Sequence, residues 1–79
     1  MSDVRERLAE CFRTVFPELS AHAVARATPL SVSGWDSVAT LTLLTLVEEE
    51  FGVSVEYDRL DEMLSFEGIL AHVERNSQP

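Results

Sequence analysis

The chain has 79 residues, 46% of them apolar, and a formal net charge of −8, and all six of its basic residues are arginine. That length bounds it to one small domain with a single core, residues 1–79, and the apolar share is too high for a disordered chain. One cysteine excludes an intramolecular disulfide, so folding rests on packing alone.

The start, "MSDVRERL", lacks the apolar stretch of a signal peptide, and the longest apolar run, Val38 to Val47, is about half of a membrane span. A cytoplasmic setting is therefore expected. The acids are unevenly placed. Residues 48–67 hold eight (Glu48, Glu49, Glu50, Glu56, Asp58, Asp61, Glu62 and Glu67) against one base, Arg59. The first 47 residues hold five acids and four arginines. Such a field repels nucleic acid and anionic membrane and favours a basic protein partner. The plain alternative is a solvated face that aids solubility.

In chain order, Val4, Leu8, Cys11, Phe12, Val15 and Leu19 make a helical stripe. Ser2 is the expected cap, with Asp3 and Glu6 suited to the positive helix start. Pro17 predicts an end at or just before Phe16. Residues 17–36, "PELSAHAVARATPLSVSGWD", form a long connection, with a short helical turn expected in "SAHAVARA". Leu30 and Val32 are expected to pin it to the core. Asp36 is a strong N-cap candidate for a helix from Ser37 to about Phe51, which Gly52 ends. Leu43, Val47 and Phe51, flanked by Thr40, Leu44 and Leu46, form its core wall. Val38, Leu41, Thr42, Thr45, Glu48 and Glu49 form an opposite, mixed face that reads as a contact surface.

"EYDRLDEML" predicts a short helix with Tyr57, Leu60 and Leu64 inward. Ser65 then caps a last helix, where Phe66, Ile69, Leu70 and Val73 repeat at helical spacing and Gly68 is a weak point. Val53, Val55 and Tyr57 alternate as in a strand, but a lone strand has no partner. The expected fold is an all-α four-helix bundle of three main helices and one short helix.

Ser37 admits three readings. As a nucleophile it needs a base and an oxyanion hole, yet His22 and His72 stand at no familiar hydrolase spacing and GxSxG is absent. As a simple cap neighbour it carries no function. As an attachment point it is well placed: a phosphate on its oxygen would lie beside unpaired helix N–H groups and the positive end of the dipole. No zinc or calcium spacing occurs, so no metal site is expected. Cys11 falls on the core stripe. Trp35 reads either as loop packing or as a partner contact.

The run "GWDSVATLTLLTLVEEEFGV" resembles the phosphopantetheine attachment region of acyl carrier proteins, whose hallmark is Asp-Ser-Leu at a helix start, often after a glycine and before an acidic "EEEF" end. Gly34, Asp36, Ser37 and Glu48 to Phe51 match that pattern, and length, acidity, long first loop and short third helix match along the whole chain.

The resemblance implies that a phosphopantetheinyl transferase, with magnesium and coenzyme A, joins 4′-phosphopantetheine to Ser37, which Asp36 flanks as cap. The arm's thiol then holds acyl or aminoacyl groups as thioesters for loading, condensing or tailoring enzymes with basic docking surfaces. The domain itself is then a non-catalytic carrier and a monomer, without nucleic-acid or membrane partners. The expected docking residues are Trp35, Val38, Leu41, Thr42, Thr45, Glu48 and Glu49.

Val38 stands where leucine is commonest, Trp35 replaces a smaller residue, and Ala39 and Thr42 leave the front of the face uncharged. These departures point away from housekeeping fatty-acid synthesis. They resemble stand-alone carriers of polyketide, nonribosomal-peptide or other dedicated pathways. The rival class is an unmodified acidic interaction domain in which Asp36-Ser37 is only a cap.

Overall fold

A computed structural model describes residues 4–55 and 57–76. Three main helices, α1 (Val4–Val15), α3 (Ser37–Phe51) and α4 (Phe66–Asn76), pack with one short helix, α2 (Ala21–Val24), and a 3₁₀ segment, Tyr57–Met63. The all-α bundle agrees with the sequence pattern, and no strand occurs among the described residues. The expected cap at Ser2 and Asp3, and the side chain of Tyr57, lie outside them.

Each apolar stripe turns inward. Leu8 and Phe12 of α1, Leu43, Leu44 and Val47 of α3, and Ile69 and Val73 of α4 are buried to 1% exposure or less. An aromatic cluster closes one end of the core. Phe12 meets Phe66 edge-on at 5.1 Å between centroids and Trp35 edge-on at 5.6 Å, and Trp35 lies 5.5 Å from Phe16. Such pairs add to plain area burial, which suits a domain this small. The long connection joins in: Ser20 caps α2, Val24, Ala27 and Val32 are buried, and the Phe66 N–H donates to the Ala27 carbonyl at 3.1 Å.

The far end of α3 is closed by polar contacts. Gly52 adopts φ 66°, the left-handed conformation a helix C-terminus favours in glycine, and its N–H donates to the Glu48 carbonyl. Arg7 donates to the Glu50 carboxylate at 2.9 Å and to the Glu50 carbonyl at 2.8 Å, while its guanidinium stacks over Phe51 at 4.7 Å. The segment that follows is held by His72, whose Nε2 lies 2.8 Å from the Ser54 carbonyl. A carbonyl only accepts, so Nε2 carries the proton.

Several expected placements are corrected. Leu30 is fully exposed and pins nothing; Val24 and Ala27 anchor the connection with Val32. Phe51 and Val15 are only partly buried, because each stands near a helix end where the bundle opens. Phe51→Ala therefore removes less than the ~3–5 kcal/mol of a fully buried phenylalanine. In the 3₁₀ segment Met63 is buried and Leu60 packs partly buried on the core, since a threefold turn presents different positions from an α-helix. Leu64, in the bend after the segment, is only partly buried.

Gly68 also gains a reason. A Cβ there would collide with the Glu62 carbonyl, so the glycine lets the 3₁₀ segment lie directly on α4. Helix propensity alone predicts that Gly68→Ala gains about 1 kcal/mol. The collision reverses the sign: the variant should lose at least about 1 kcal/mol in urea or thermal unfolding, as overpacked sites do. A stabilised variant would contradict this packing.

Candidate functional site

The start of α3 is built by the turn before it. Val32, Ser33, Gly34 and Trp35 form a β-turn closed by the Trp35 N–H donating to the Val32 carbonyl at 3.2 Å, with Gly34 at φ 92° in the third position. A positive φ there is the mark of a type II turn and explains the "SG" pair. The turn drives Trp35 inward and brings Asp36 out at the head of the helix.

Asp36 is the N-cap. Its Oδ1 accepts from the Ala39 N–H at 2.9 Å, and its carbonyl accepts from the Thr40 N–H at 2.9 Å. The Thr40 hydroxyl also donates to that carbonyl at 2.9 Å, and accepts the Trp35 indole N–H at 2.8 Å. The residues before the cap and in the second turn, which a hydrophobic staple normally joins, are here joined by a buried hydrogen bond. The sequence reading placed Thr40 only beside the core wall. Its spacing, four residues after a cap and five after a tryptophan, is the signal that could have revealed this role.

Ser37 is the first residue of α3 and is exposed. Among the described residues, no hydrogen bond engages its N–H or that of Val38, two donors that a helix start leaves unpaired. Neither histidine serves it. His22 is exposed on α2, and His72 is committed to Ser54 beside α4. No group of side chains that could hold a metal occurs among the described residues, and none of their helices is long and apolar enough to cross a membrane. Cys11 is buried, and burial followed by the charge of Glu50 pushes its thiol up to about 11, so it stays a protonated core group at neutral pH.

The outward face of α3 carries Val38 (72% exposed), Leu41 (51%), Thr42, Thr45 and Glu49. The Thr42 hydroxyl donates to the Val38 carbonyl at 3.0 Å and that of Thr45 to the Leu41 carbonyl at 2.8 Å. Both hydroxyls are thus satisfied within the helix, which makes the stripe more apolar than its composition. Two expected contact residues do not belong to it. Trp35, 6% exposed, is a core residue whose ring fills the aromatic cluster. Glu48 is half-buried, and its carboxylate accepts the Val55 N–H at 2.9 Å, holding the turn after the helix rather than facing a partner.

Residues 6–73 match the family model described as "Phosphopantetheine attachment site". No curated protein and no solved structure matches the chain. The family carries 4′-phosphopantetheine covalently, and the start of α3 fits that group. Ser37 offers an exposed oxygen, two N–H groups await an anion, and the helix dipole favours a phosphodiester.

Thr40→Val keeps the shape of the side chain but leaves the buried indole N–H of Trp35 without an acceptor. It should lower stability by about 1–3 kcal/mol in equilibrium unfolding. A change within about 0.5 kcal/mol would mean that the bond contributes nothing to the folded state.

Proposed function

Because the chain belongs to the phosphopantetheine-attachment family, we propose that Ser37 is the residue that carries the arm, and that the chain is the substrate of a phosphopantetheinyl transferase. Carrier domains of this family are not themselves catalysts; they interact with that transferase and with biosynthetic enzymes. The observation that carries the assignment is an exposed hydroxyl on the first residue of a capped helix, in the Asp-Ser pair that the family pattern places there. When bound, the arm supplies a terminal thiol that holds acyl or aminoacyl groups as thioesters. The chain's own part is to present the oxygen, to offer the Ser37 and Val38 N–H groups to the phosphate, and to keep the helix start fixed.

The partners in this reading are loading, condensing and tailoring enzymes of polyketide, nonribosomal-peptide or another specialised pathway. Support comes from the outward stripe, which is uncharged from Val38 through Thr45, with Glu49 and the acids after it supplying the field. Desolvated apolar anchors govern dissociation, whereas rim charges govern encounter.

Coexpression with a broad-specificity transferase should add one arm to the intact mass, and Ser37→Ala should gain none while keeping its helical circular dichroism. An arm on Ser37→Ala would overturn the assignment. For docking, Val38→Asp should weaken the complex with a loading enzyme without altering its salt response. Glu49→Gln should slow encounter at low salt and leave the docked lifetime unchanged. Equal encounter rates for wild type and Glu49→Gln at low salt would reduce the charge to a solubility device.

A further inference from the structure

Two grooves on the surface of residues 15–39 meet at Leu19 and Ser31, which line both. The first, about 380 Å³, runs between the end of α1, the connection and the start of α3. Its walls are Val15, Phe16, Pro17, Val32 and Ala39, with Glu18 also lining it. The second, about 410 Å³, carries Ser20, His22 and Arg26. Ser33 and Gly34, in the turn just before the Asp36 cap, also line the first groove, so its apolar half reaches the base of the helix start that presents Ser37.

The centre of the bundle is closed to a ligand by Leu8, Phe12, Leu43 and Val47, all fully buried. Arg26 is exposed and has no ion-pair partner among the described residues, in a chain whose acids outnumber its bases fourteen to six. The Ser31 hydroxyl, at the junction, reaches the Arg26 carbonyl at 3.5 Å.

We infer that this continuous groove is a binding site for the tethered cargo and that it favours a short acyl chain ending in a carboxylate. The inference rests on the carrier reading and names its substrate class. The arm's methylenes lie along Val15, Phe16, Val32 and Ala39, and the short acyl chain at its end carries the carboxylate past Glu18, which repels it, to Arg26. A neutral chain of equal length gains the apolar contacts alone. Tethering at Ser37 raises the local concentration of the cargo, so a weak site suffices.

The test separates the site from the attachment. Ser37→Ala protein, which carries no arm under the proposed function, is titrated with free succinyl-pantetheine and butyryl-pantetheine thioesters and followed by amide NMR. Succinyl-pantetheine should shift the amides of Leu19, Arg26, Ser31 and Val32 and bind about threefold more tightly than butyryl-pantetheine, the ratio an exposed charge pair supplies. Arg26→Gln should erase that preference and leave butyryl binding unchanged. Equal affinity for the two ligands, shifts confined to the outward face of α3, or no shifts at all would overturn the inference. A failure of the carrier reading would appear separately, as wild-type protein that gains no arm mass.

Discussion

The hydrogen bond from the Trp35 indole to the Thr40 hydroxyl, continued to the Asp36 carbonyl, is the constraint on which the rest of this small structure depends. It couples a core aromatic to the first turn of a helix. The same ring that packs on Phe12 and Phe16 therefore fixes where the helix begins. Without that bond the Trp35 N–H would be buried and unpaired, a cost comparable to a sizeable share of a small domain's stability. With it, the connection from Pro17 to Asp36 ends in one position, and Ser37 is left as the first exposed group beyond the cap.

A second division of labour runs along α3. Its outer stripe keeps threonine hydroxyls bonded within the helix, so Val38, Leu41, Thr42 and Thr45 present mainly carbon to solvent. Its last turn is polar but occupied: Glu48 holds Val55, and Glu50 holds Arg7, leaving Glu49 the one acid of that turn with no bond to another element among the described residues. Charge that looks uniform in the sequence is thus partly structural. The free field begins at Glu49 and continues through the exposed Asp58 and Asp61 of the 3₁₀ segment, while Glu62 is paired with Arg59 at 3.3 Å.

Much of this was legible in the sequence, for physical reasons that also explain the misses. Period and capping are local, so the helix from Ser37 to Phe51, its Asp36 cap, its Gly52 end and the Ser65 cap of the last helix could all be read from neighbours in sequence. Burial is not local. Trp35 reads as a possible contact because nothing in "SGWDS" reveals that a type II turn swings the ring inward. Leu30 reads as an anchor because an apolar side chain in a loop has no period to orient it. The facing of "EYDRLDEML" rests on one regular helix running through Leu64, whereas the 3₁₀ segment ends at Met63, which takes the buried position. Gly68 reads as a defect only until the carbonyl opposite it is seen.

The central claim is that the Trp35–Thr40–Asp36 lock makes Ser37 presentable as an attachment point, and it is tested most directly by the rate of arm transfer. Thr40→Val and wild type would be compared with one transferase and coenzyme A, at a temperature where circular dichroism shows both fully folded. The account predicts a slower second-order transfer to Thr40→Val, because a loosened helix start offers its serine in more than one geometry. Equal transfer rates in two folded proteins would contradict it, leaving the lock a source of stability alone.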